Sequence, residues 1–410
     1  MSRTMNLLRG VAVAGLFGAL ASCDMPHTTV GPSYAGGAIF KSYVSLGNSL
    51  TAGYQSGGID DSTQSRAYPV LLAQAFGTRF AYPALANPGC PPPLDNFQTQ
   101  HRLTPAGYPT STGTSCYLRT KTSITDVLNN VAVPGAFVGD LTSPTGASGP
   151  NPLTTFVLGG LTQVQRALVA KPTFATIWIG NNDVLGPALT GQPAGATPLA
   201  QFQTNYDQMI SQLTTGAPGI KGVLMGVVQV AAAPQLFPAA ALQSPLFVGG
   251  LSQAVGTPVT VHPDCYVSPG NQSLINIQII AYLRAAVAQG APAIIACSKG
   301  DVPGYGDYLV LDAAEQAEVY ALINSYNSYI QAKAQAIGFA YWDPNPVLAA
   351  VAAIPGAINY PPNLADTKNP FGTAFSLDGV HPSSATHVMI ANALIDAINQ
   401  KYGTSVRHVQ

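Results

Sequence analysis

The sequence predicts an α/β fold in which a parallel sheet of about five strands is covered by helices on both faces. From residue 39 onward, short β-rich runs alternate with helical patterns, an order typical of parallel sheets joined by helical crossovers. Several of the runs are continuously apolar, as expected of strands buried on both faces. The chain has 410 residues, 47% of them hydrophobic, which is ample for a large buried core.

The predicted elements follow one another along the chain. The strand-like runs are Ile39–Leu46, Arg79–Leu85, Phe174–Ile179, Gly222–Val230 and Phe339–Trp342. The helical patterns are Ala67–Phe76, Phe156–Val169, Leu199–Leu213, Ala313–Ile337 and Ser384–Lys401, the last with an apolar stripe at helical spacing. Ligands of such sheets bind beyond the carboxyl ends of the strands, so polar residues that follow the strands are the functional candidates.

Two long insertions interrupt this alternation. Residues 86–128 are rich in Pro, Thr and Ser, and residues 231–311 begin with an apolar stretch broken by Pro and Gly. Loops of this length are usually functional or form lids. For the second insertion two interpretations stay open: packed irregular core, or an apolar rim from residues 231–260 that binds an acyl chain.

The N-terminus predicts export and lipid anchoring. Arg3 and Arg9 precede an apolar run over residues 11–21, which has the length of a signal-peptide core and is too short to span a bilayer comfortably. Small residues then stand directly before Cys23, a pattern that resembles a bacterial lipobox. This predicts a signal peptide over residues 1–22, a lipidated Cys23 and a flexible tether over 23–38. The alternative is an ordinary secretory peptide with an incidental cysteine.

A lipidated Cys23 would place the protein in a bacterial cell envelope, attached to a membrane. The sequence does not distinguish the inner from the outer membrane. The formal charge of -1 gives no electrostatic case for binding nucleic acid. The remaining cysteines are Cys90, Cys116, Cys265 and Cys297. An even number in an exported chain predicts disulfides, and we favour Cys90–Cys116 and Cys265–Cys297 because each pair brackets one insertion. A metal site is the weaker alternative, because the chain has no CxxC motif.

Four short segments carry the residues with chemical potential. They are GNSL at 47–50, NVAVPGA at 130–136, WIGNND at 178–183 and SLDGVHP at 376–382. Ser49 follows a strand on a sharp turn, where a hydroxyl is exposed and the backbone N–H points into the site. His381 can take the serine proton, and Asp378, three residues earlier, can orient the imidazole. The Asn182 amide can donate to a developing oxyanion, and Gly135 can present its N–H without a side chain in the way.

Taken in this order, the segments resemble the blocks of the SGNH hydrolases, also called GDSL esterases and lipases. The resemblance covers residues 39–403, leaving a short tail at 404–410, and implies a flavodoxin-like α/β/α sandwich. The first block reads GNSL instead of GDSL, so Asn48 replaces an acid that is outside the family's catalytic set. For the second block Gly89 is a rival to Gly135, which we prefer because Asn130 and Ala136 flank it in the family manner.

The resemblance implies a serine esterase or lipase that needs no metal or organic cofactor. It assigns Ser49 as nucleophile, His381 as base and Asp378 as its partner. The oxyanion hole would consist of the Ser49 N–H, the Gly135 N–H and the Asn182 side chain. Two other functions stay open: an O-acetyl esterase acting on carbohydrate or peptidoglycan, and a surface lipoprotein that binds on an inactive hydrolase scaffold.

Overall fold

The computed structural model describes residues 37–103, 127–143, 152–300 and 309–410. Its strands, numbered along the chain, are β1 (Tyr43–Gly47), β2 (Leu94–Asn96), β3 (His101–Arg102), β4 (Phe174–Trp178), β5 (Lys221–Met225), β6 (Leu236–Pro238), β7 (Thr260–Val261), β8 (Leu274–Asn276), β9 (Ile294–Ile295), β10 (Val310–Leu311) and β11 (Ala340–Trp342). Its α-helices are α1 (Ser49–Ala52), α2 (Asp61–Gln64), α3 (Tyr68–Phe76), α4 (Pro152–Leu158), α5 (Gln163–Val169), α6 (Asn182–Leu189), α7 (Leu199–Gly216), α8 (Pro245–Val255), α9 (Ile279–Ala288), α10 (Ala313–Ile337), α11 (Asn345–Ala352) and α12 (Ser384–Tyr402).

A four-stranded parallel sheet in the order β1-β4-β5-β11 forms the centre of the fold. Tyr43 of β1 pairs with Phe174 of β4, which pairs with Lys221 of β5, and Val223 of β5 pairs with Ala340 of β11. All four strands therefore run in one direction, and their carboxyl ends meet at the same edge. The predicted α/β class with a parallel sheet is confirmed.

The place beside β1 is taken by residues 129–133, which extend the sheet without forming a regular strand. The Ser45 N–H donates to the Asn129 carbonyl at 2.8 Å, and the Val131 N–H donates to the Ser45 carbonyl at 3.0 Å. The predicted strand Arg79–Leu85 is wrong, since this segment is irregular apart from one bridge residue at its end. Pro83 within it has no N–H to give to a ladder, which explains why its apolar residues do not make a strand.

Helices cover both faces of the sheet and bury two large apolar clusters. On one face α3 and α12 pack against the side chains of Tyr43, Phe174, Trp178, Val223 and Trp342. On the other face α5, α7 and α10 pack against those of Val44, Leu46, Ala175, Ile177 and Leu224. Neighbouring residues of β1 thus point to opposite faces, as the pleat of a strand requires.

The second insertion has an apolar core of its own. It contains α8, α9, the antiparallel sheet β10-β8-β6 and the short parallel pair β7-β9. Its buried cluster includes Phe237, Leu251, Ile275 and Leu283, together with Leu377 from the segment before α12. The packed-core interpretation of this insertion is therefore supported, and its core reaches the residue directly before Asp378.

Most of the predicted helices are present with shifted ends. The pattern at Phe156–Val169 is two helices, α4 and α5, interrupted at Gly159 and Gly160, which both have positive φ angles. Helix α10 has the predicted bounds, because Asp312 and Glu315 form a capping box and Gly338 ends it in the left-handed region.

Within the four described ranges, no helix is long and apolar enough to cross a membrane.

Candidate active site

Ser49 is the first residue of α1 and directly follows the tight turn at the end of β1. Asn48 caps α1, accepting a hydrogen bond from the Leu50 N–H at 3.1 Å on its side-chain oxygen. Gly47 has no room for a side chain, since a Cβ there would lie 2.4 Å from the Trp178 carbonyl oxygen. The Gln163 side chain further fixes Gly47 by bonding both its N–H and its carbonyl, each at 3.0 Å. The turn thus holds the serine rigidly beyond the strand end.

Ser49, His381 and Asp378 form one hydrogen-bonded chain, although Ser49 and His381 are 332 positions apart in sequence. His381 Nε2 lies 2.9 Å from Ser49 Oγ, and His381 Nδ1 lies 2.8 Å from Asp378 Oδ2. These distances suit a proton transfer from the hydroxyl to the imidazole while the carboxylate orients the ring. The structure therefore brings together the three residues that the sequence predicts as nucleophile, base and orienting acid.

Asp378 is held as a carboxylate by several donors. Burial alone would raise its pKa, but the charge of His381 and hydrogen bonds from His381 and Val380 lower the pKa to about 2. The Gly57 N–H also donates to it at 2.7 Å and the Ser376 hydroxyl at 3.2 Å. Asp378 thus stays ionised throughout the neutral range and favours the His381 tautomer with its proton on Nδ1.

Gly57 and Ser376 support Asp378 by hydrogen bonds, and neither is assigned a role from the sequence. Gly57 stands on the turn after α1, and Arg102 of the first insertion fixes that turn by donating to the Gly57 carbonyl at 2.7 Å. Ser376 binds the same turn through the Ser56 N–H at 2.8 Å. Gly57 and Arg102 belong to no local pattern, because their hydrogen-bond partners are distant in the chain, whereas Ser376 begins the SLDGVHP segment that contains Asp378.

The predicted oxyanion donors lie beyond the ends of neighbouring strands. Asn182 begins α6, the first helix after β4, and its side-chain amide donates to the Ala136 carbonyl at 2.9 Å. Gly135 is exposed, has a φ of +84° and lies two residues past Val133, whose N–H donates to the Gly47 carbonyl at 3.2 Å. Gly135 therefore leaves the sheet alongside the turn that carries Ser49.

The rival Gly89 is engaged elsewhere. It is buried, its N–H donates to the Ala86 carbonyl at 2.9 Å, and a Cβ on it would lie 2.4 Å from the Ile59 carbonyl oxygen. This glycine serves a close approach between two loops. The geometry thus favours Gly135 as the glycine that can face a substrate.

Asp183, next to Asn182, ends the WIGNND segment; the sequence pattern assigns it no role, and the structure shows it as a buried carboxyl. Its side chain is 1% exposed, and Oδ2 accepts a hydrogen bond from the Val138 N–H at 3.0 Å. Burial raises the pKa of Asp183 to about 7; Asp140 raises it further, while the Val138 N–H and the Thr197 hydroxyl act to lower it. A signal was present in the sequence, since an acid directly after a buried strand has to find donors there.

An apolar cleft opens beside the Ser49 hydroxyl. Ser49, Asn182 and His381 line it, and it encloses about 860 Å³ of empty space, part of it open to solvent. Most of its walls are apolar side chains, including Trp178, Leu185, Val228, Trp342, Val347, Leu348, Val351 and Phe375. The interpretation of residues 231–260 as an apolar rim is not supported: of that stretch only Ala233 lines the cleft, and Val347, Leu348 and Val351 of α11 contribute to its wall. The apolar residues of the insertion are used to fill its own core.

The predicted pair Cys265–Cys297 is present as a disulfide with a sulfur–sulfur distance of 2.04 Å. The pair Cys90–Cys116 and the lipidation site Cys23 involve Cys116 and Cys23, which lie outside the described residues. One group of possible metal ligands occurs in the described part of the chain, Asp264 with Cys265 and Cys297. Both sulfur atoms of that group are joined to each other in the disulfide, so they do not fit a metal ion.

A serine on a strand–turn–helix corner, bonded to a His–Asp pair, defines the arrangement of a serine hydrolase. A family profile described as "GDSL-like Lipase/Acylhydrolase" matches residues 43–394. The chain belongs to this family, and is therefore an ester hydrolase by family. Among curated proteins no match was found.

The solved structures that are similar to the chain include two whose chains are covered almost completely. One is an extracellular lipase from Streptomyces rimosus, with 15% identity, a TM-score of 0.39, and coverage of 88% of this chain and 98% of the lipase. The other is a catalytic mutant of an acetylxylan esterase from Geobacillus stearothermophilus, with 11% identity, a TM-score of 0.40, and coverage of 90% and 97%.

Proposed function

We propose that the protein is a serine esterase that cleaves carboxylic esters through an acyl-enzyme on Ser49. The observation that carries this proposal is the hydrogen-bonded chain from Ser49 Oγ to His381 Nε2 at 2.9 Å and from His381 Nδ1 to Asp378 Oδ2 at 2.8 Å. A free serine hydroxyl is a weak nucleophile, and an adjacent oriented base is what activates it.

The reaction has two steps. In acylation, Ser49 Oγ attacks the ester carbonyl carbon and its proton passes to His381 Nε2. The tetrahedral intermediate collapses, the bond to the alcohol oxygen breaks, and the alcohol takes the proton from Nε2. In deacylation, water attacks the acyl-enzyme, gives a proton to Nε2, and Ser49 leaves with that proton.

The negative oxygen of each intermediate would be bound by the Ser49 N–H, the Gly135 N–H and the Asn182 amide. Such donors are effective because they are fixed before the charge develops, and removal of one costs about 10²–10³ in kcat. Asp378 remains negative and stabilises the imidazolium that forms on His381. No step requires a metal ion or an organic cofactor.

The cleft favours esters with an apolar acyl group. Its walls are mainly aliphatic and aromatic side chains, and α11 contributes Val347, Leu348 and Val351. An acyl chain seated there removes apolar surface from water, at roughly 0.8 kcal/mol for each buried methylene. An acetyl group would leave most of the cleft to water, so the apolar walls argue against an O-acetyl esterase.

Hydrolysis of p-nitrophenyl esters from acetyl to palmitoyl tests this function. We expect wild-type protein and the exposed-site control Ser211→Ala to be active, Ser49→Ala to be inactive, and activity to peak above the acetyl ester. Normal activity of Ser49→Ala would refute the mechanism, and a peak at acetyl would favour the O-acetyl esterase. A fluorophosphonate probe should label wild-type protein at Ser49; failure to label would favour the inactive binding scaffold.

We further propose that lipidated Cys23 anchors this esterase to a membrane of the bacterial cell envelope. The lipobox-like residues before Cys23 and the short signal-like apolar run support the proposal. Cys23→Ser should move the protein from the membrane fraction to the soluble fraction after export. Retention of the variant in the membrane fraction would contradict the anchor.

A further inference from the structure

Gly135 sits on a loop that is tied down by two adjacent residues of α6. We define the oxyanion loop as residues Val133–Val138. The Ala136 carbonyl accepts the Asn182 amide at 2.9 Å, and the Val138 N–H donates to Asp183 Oδ2 at 3.0 Å. The two bonded residues, Ala136 and Val138, lie one and three positions after Gly135 in the sequence. They therefore fix the part of the loop that follows Gly135.

The N–H groups that follow Gly135 on this loop all have partners. The Ala136 N–H donates to the Val133 carbonyl at 3.1 Å, and the Phe137 N–H donates to the Asp140 carboxylate at 2.8 Å. The Val138 N–H is bound by Asp183. Among the described residues the Gly135 N–H has no partner, so the loop is arranged to leave this one donor for a ligand.

We propose that Asp183 is a positioning residue of the oxyanion hole, which acts by accepting the Val138 N–H and so fixing the Gly135 N–H toward the substrate carbonyl. The inference rests on the proposed function. Asp183 does not touch the substrate; it acts through the loop. Burying an ionisable carboxyl has a desolvation cost that a neutral side chain of the same size does not have. What the loop needs from this position is an acceptor aimed at the Val138 N–H.

If Asp183 positions the Gly135 N–H, removal of its acceptor oxygen should lower kcat and leave KM nearly unchanged. An oxyanion donor contributes mainly in the transition state, so displacing it lowers the chemical rate and leaves ground-state binding in the apolar cleft. Displacement of the Gly135 N–H should lower kcat about 10²-fold, the usual effect of losing one donor. A side chain that only fills space would alter stability, with kcat per folded molecule unaffected.

Two variants of Asp183 separate the acceptor from the volume. Asp183→Asn retains an oxygen that can accept the Val138 N–H, and we expect kcat within about threefold of wild type. Asp183→Leu has a similar size without an acceptor, and we expect the 10²-fold loss. If folded Asp183→Leu, checked by circular dichroism and thermal melting, keeps wild-type kcat, the inference is wrong. Equal losses in both variants would also overturn it.

A variant on the loop removes the same bond from the other side and does not depend on the folding of Asp183→Leu. Val138 is the first residue of a 3₁₀ turn and follows Phe137, which has extended backbone angles. Proline suits a first helical position after an extended residue, so Val138→Pro removes the N–H without forcing the backbone. Val138→Ala, which keeps the N–H, is the control. We expect Val138→Pro to lose kcat about 10²-fold relative to Val138→Ala, which shortens the side chain but keeps the N–H.

The double variant Asp183→Leu/Val138→Pro completes the test. Both changes remove the same hydrogen bond, from the Val138 N–H to Asp183. The kcat of the double variant should therefore equal that of either single variant. Multiplied losses would mean that the two residues act independently and would refute the inference. Wild-type protein and Ser49→Ala in the same series distinguish this result from a failure of the proposed function: an inactive wild type, or an active Ser49→Ala, counts against the esterase itself.

Discussion

The buried Asp183 carboxyl makes a specific prediction about the pH dependence of stability. Burial raises its folded-state pKa to about 7, against an ordinary value of 3.8. The folded protein therefore holds this proton more tightly than the unfolded chain does. The associated stability is complete below about pH 4 and is lost as the pH rises through about 7. At about 1.4 kcal/mol per pH unit, ionising this group costs the fold about 4 kcal/mol in total.

Asp183→Asn removes the titrating proton and keeps an acceptor for the Val138 N–H. Between about pH 5 and pH 8, its free energy of unfolding should therefore rise relative to wild type by about 3 kcal/mol. The groups that face Asp183 and titrate or carry charge are Asp140 and Tyr326, and both are unchanged in the variant. The difference between the two proteins thus reports on Asp183 alone.

Urea unfolding at both pH values, followed by the fluorescence of the buried Trp178 and Trp342, measures this difference. Glu318→Gln, which neutralises an exposed acid on α10, is the control and should show the same difference from wild type at both pH values. An Asp183→Asn variant whose stability relative to wild type does not change with pH would refute the raised pKa. A relative loss of stability at high pH would reverse the sign and refute the argument from burial.

Three other changes test the cleft, the turn and the disulfide. Leu348→Trp should fill part of the cleft and raise KM for octanoyl esters about tenfold while leaving acetyl esters nearly unchanged, as measured across a chain-length series. Gly47→Ala should destabilise the fold by about 1–3 kcal/mol, because its Cβ would lie 2.4 Å from a β4 carbonyl oxygen, whereas Gly249→Ala, with nothing within 4 Å, should not. Cys265→Ser opens a disulfide that spans 32 residues and should cost about 3–4 kcal/mol in urea unfolding.

The central fold could be predicted because its signals are local. Strands β1, β4, β5 and β11 are apolar runs that end at turn residues, and such runs indicate buried parallel strands without knowledge of their partners. Helix α10 was predictable to its ends, since its capping residues adjoin it in sequence.

The errors occur where one apolar segment competes with another for the same place. Arg79–Leu85 and residues 129–133 are both short and apolar, and only the second pairs with β1. The apolar residues of 231–260 could equally have faced the substrate or each other. The choice depends on long-range packing, which the local pattern does not contain.

The candidate site shows the same division. Four residues of the candidate site stand where a strand ends or just before a helix begins, and these positions identify them as functional candidates: Ser49, Asn182, Asp378 and His381. Gly57 belongs to no motif identified in the sequence, and Asp183 ends the WIGNND segment without a role assigned to it there, because each acts through a hydrogen bond to a residue distant in the chain.

The insertions consequently have a part in the chemistry that their composition does not suggest. Arg102 of the first insertion holds the Gly57 turn, whose N–H binds the Asp378 carboxylate. The core of the second insertion includes Leu377, the residue before Asp378. Asp378, which bonds to His381, is therefore supported from both insertions, while α11 contributes Val347, Leu348 and Val351 to the wall of the apolar cleft. Changes in either insertion core should thus affect the rate through the orientation of His381, and changes in α11 should affect the choice of acyl group.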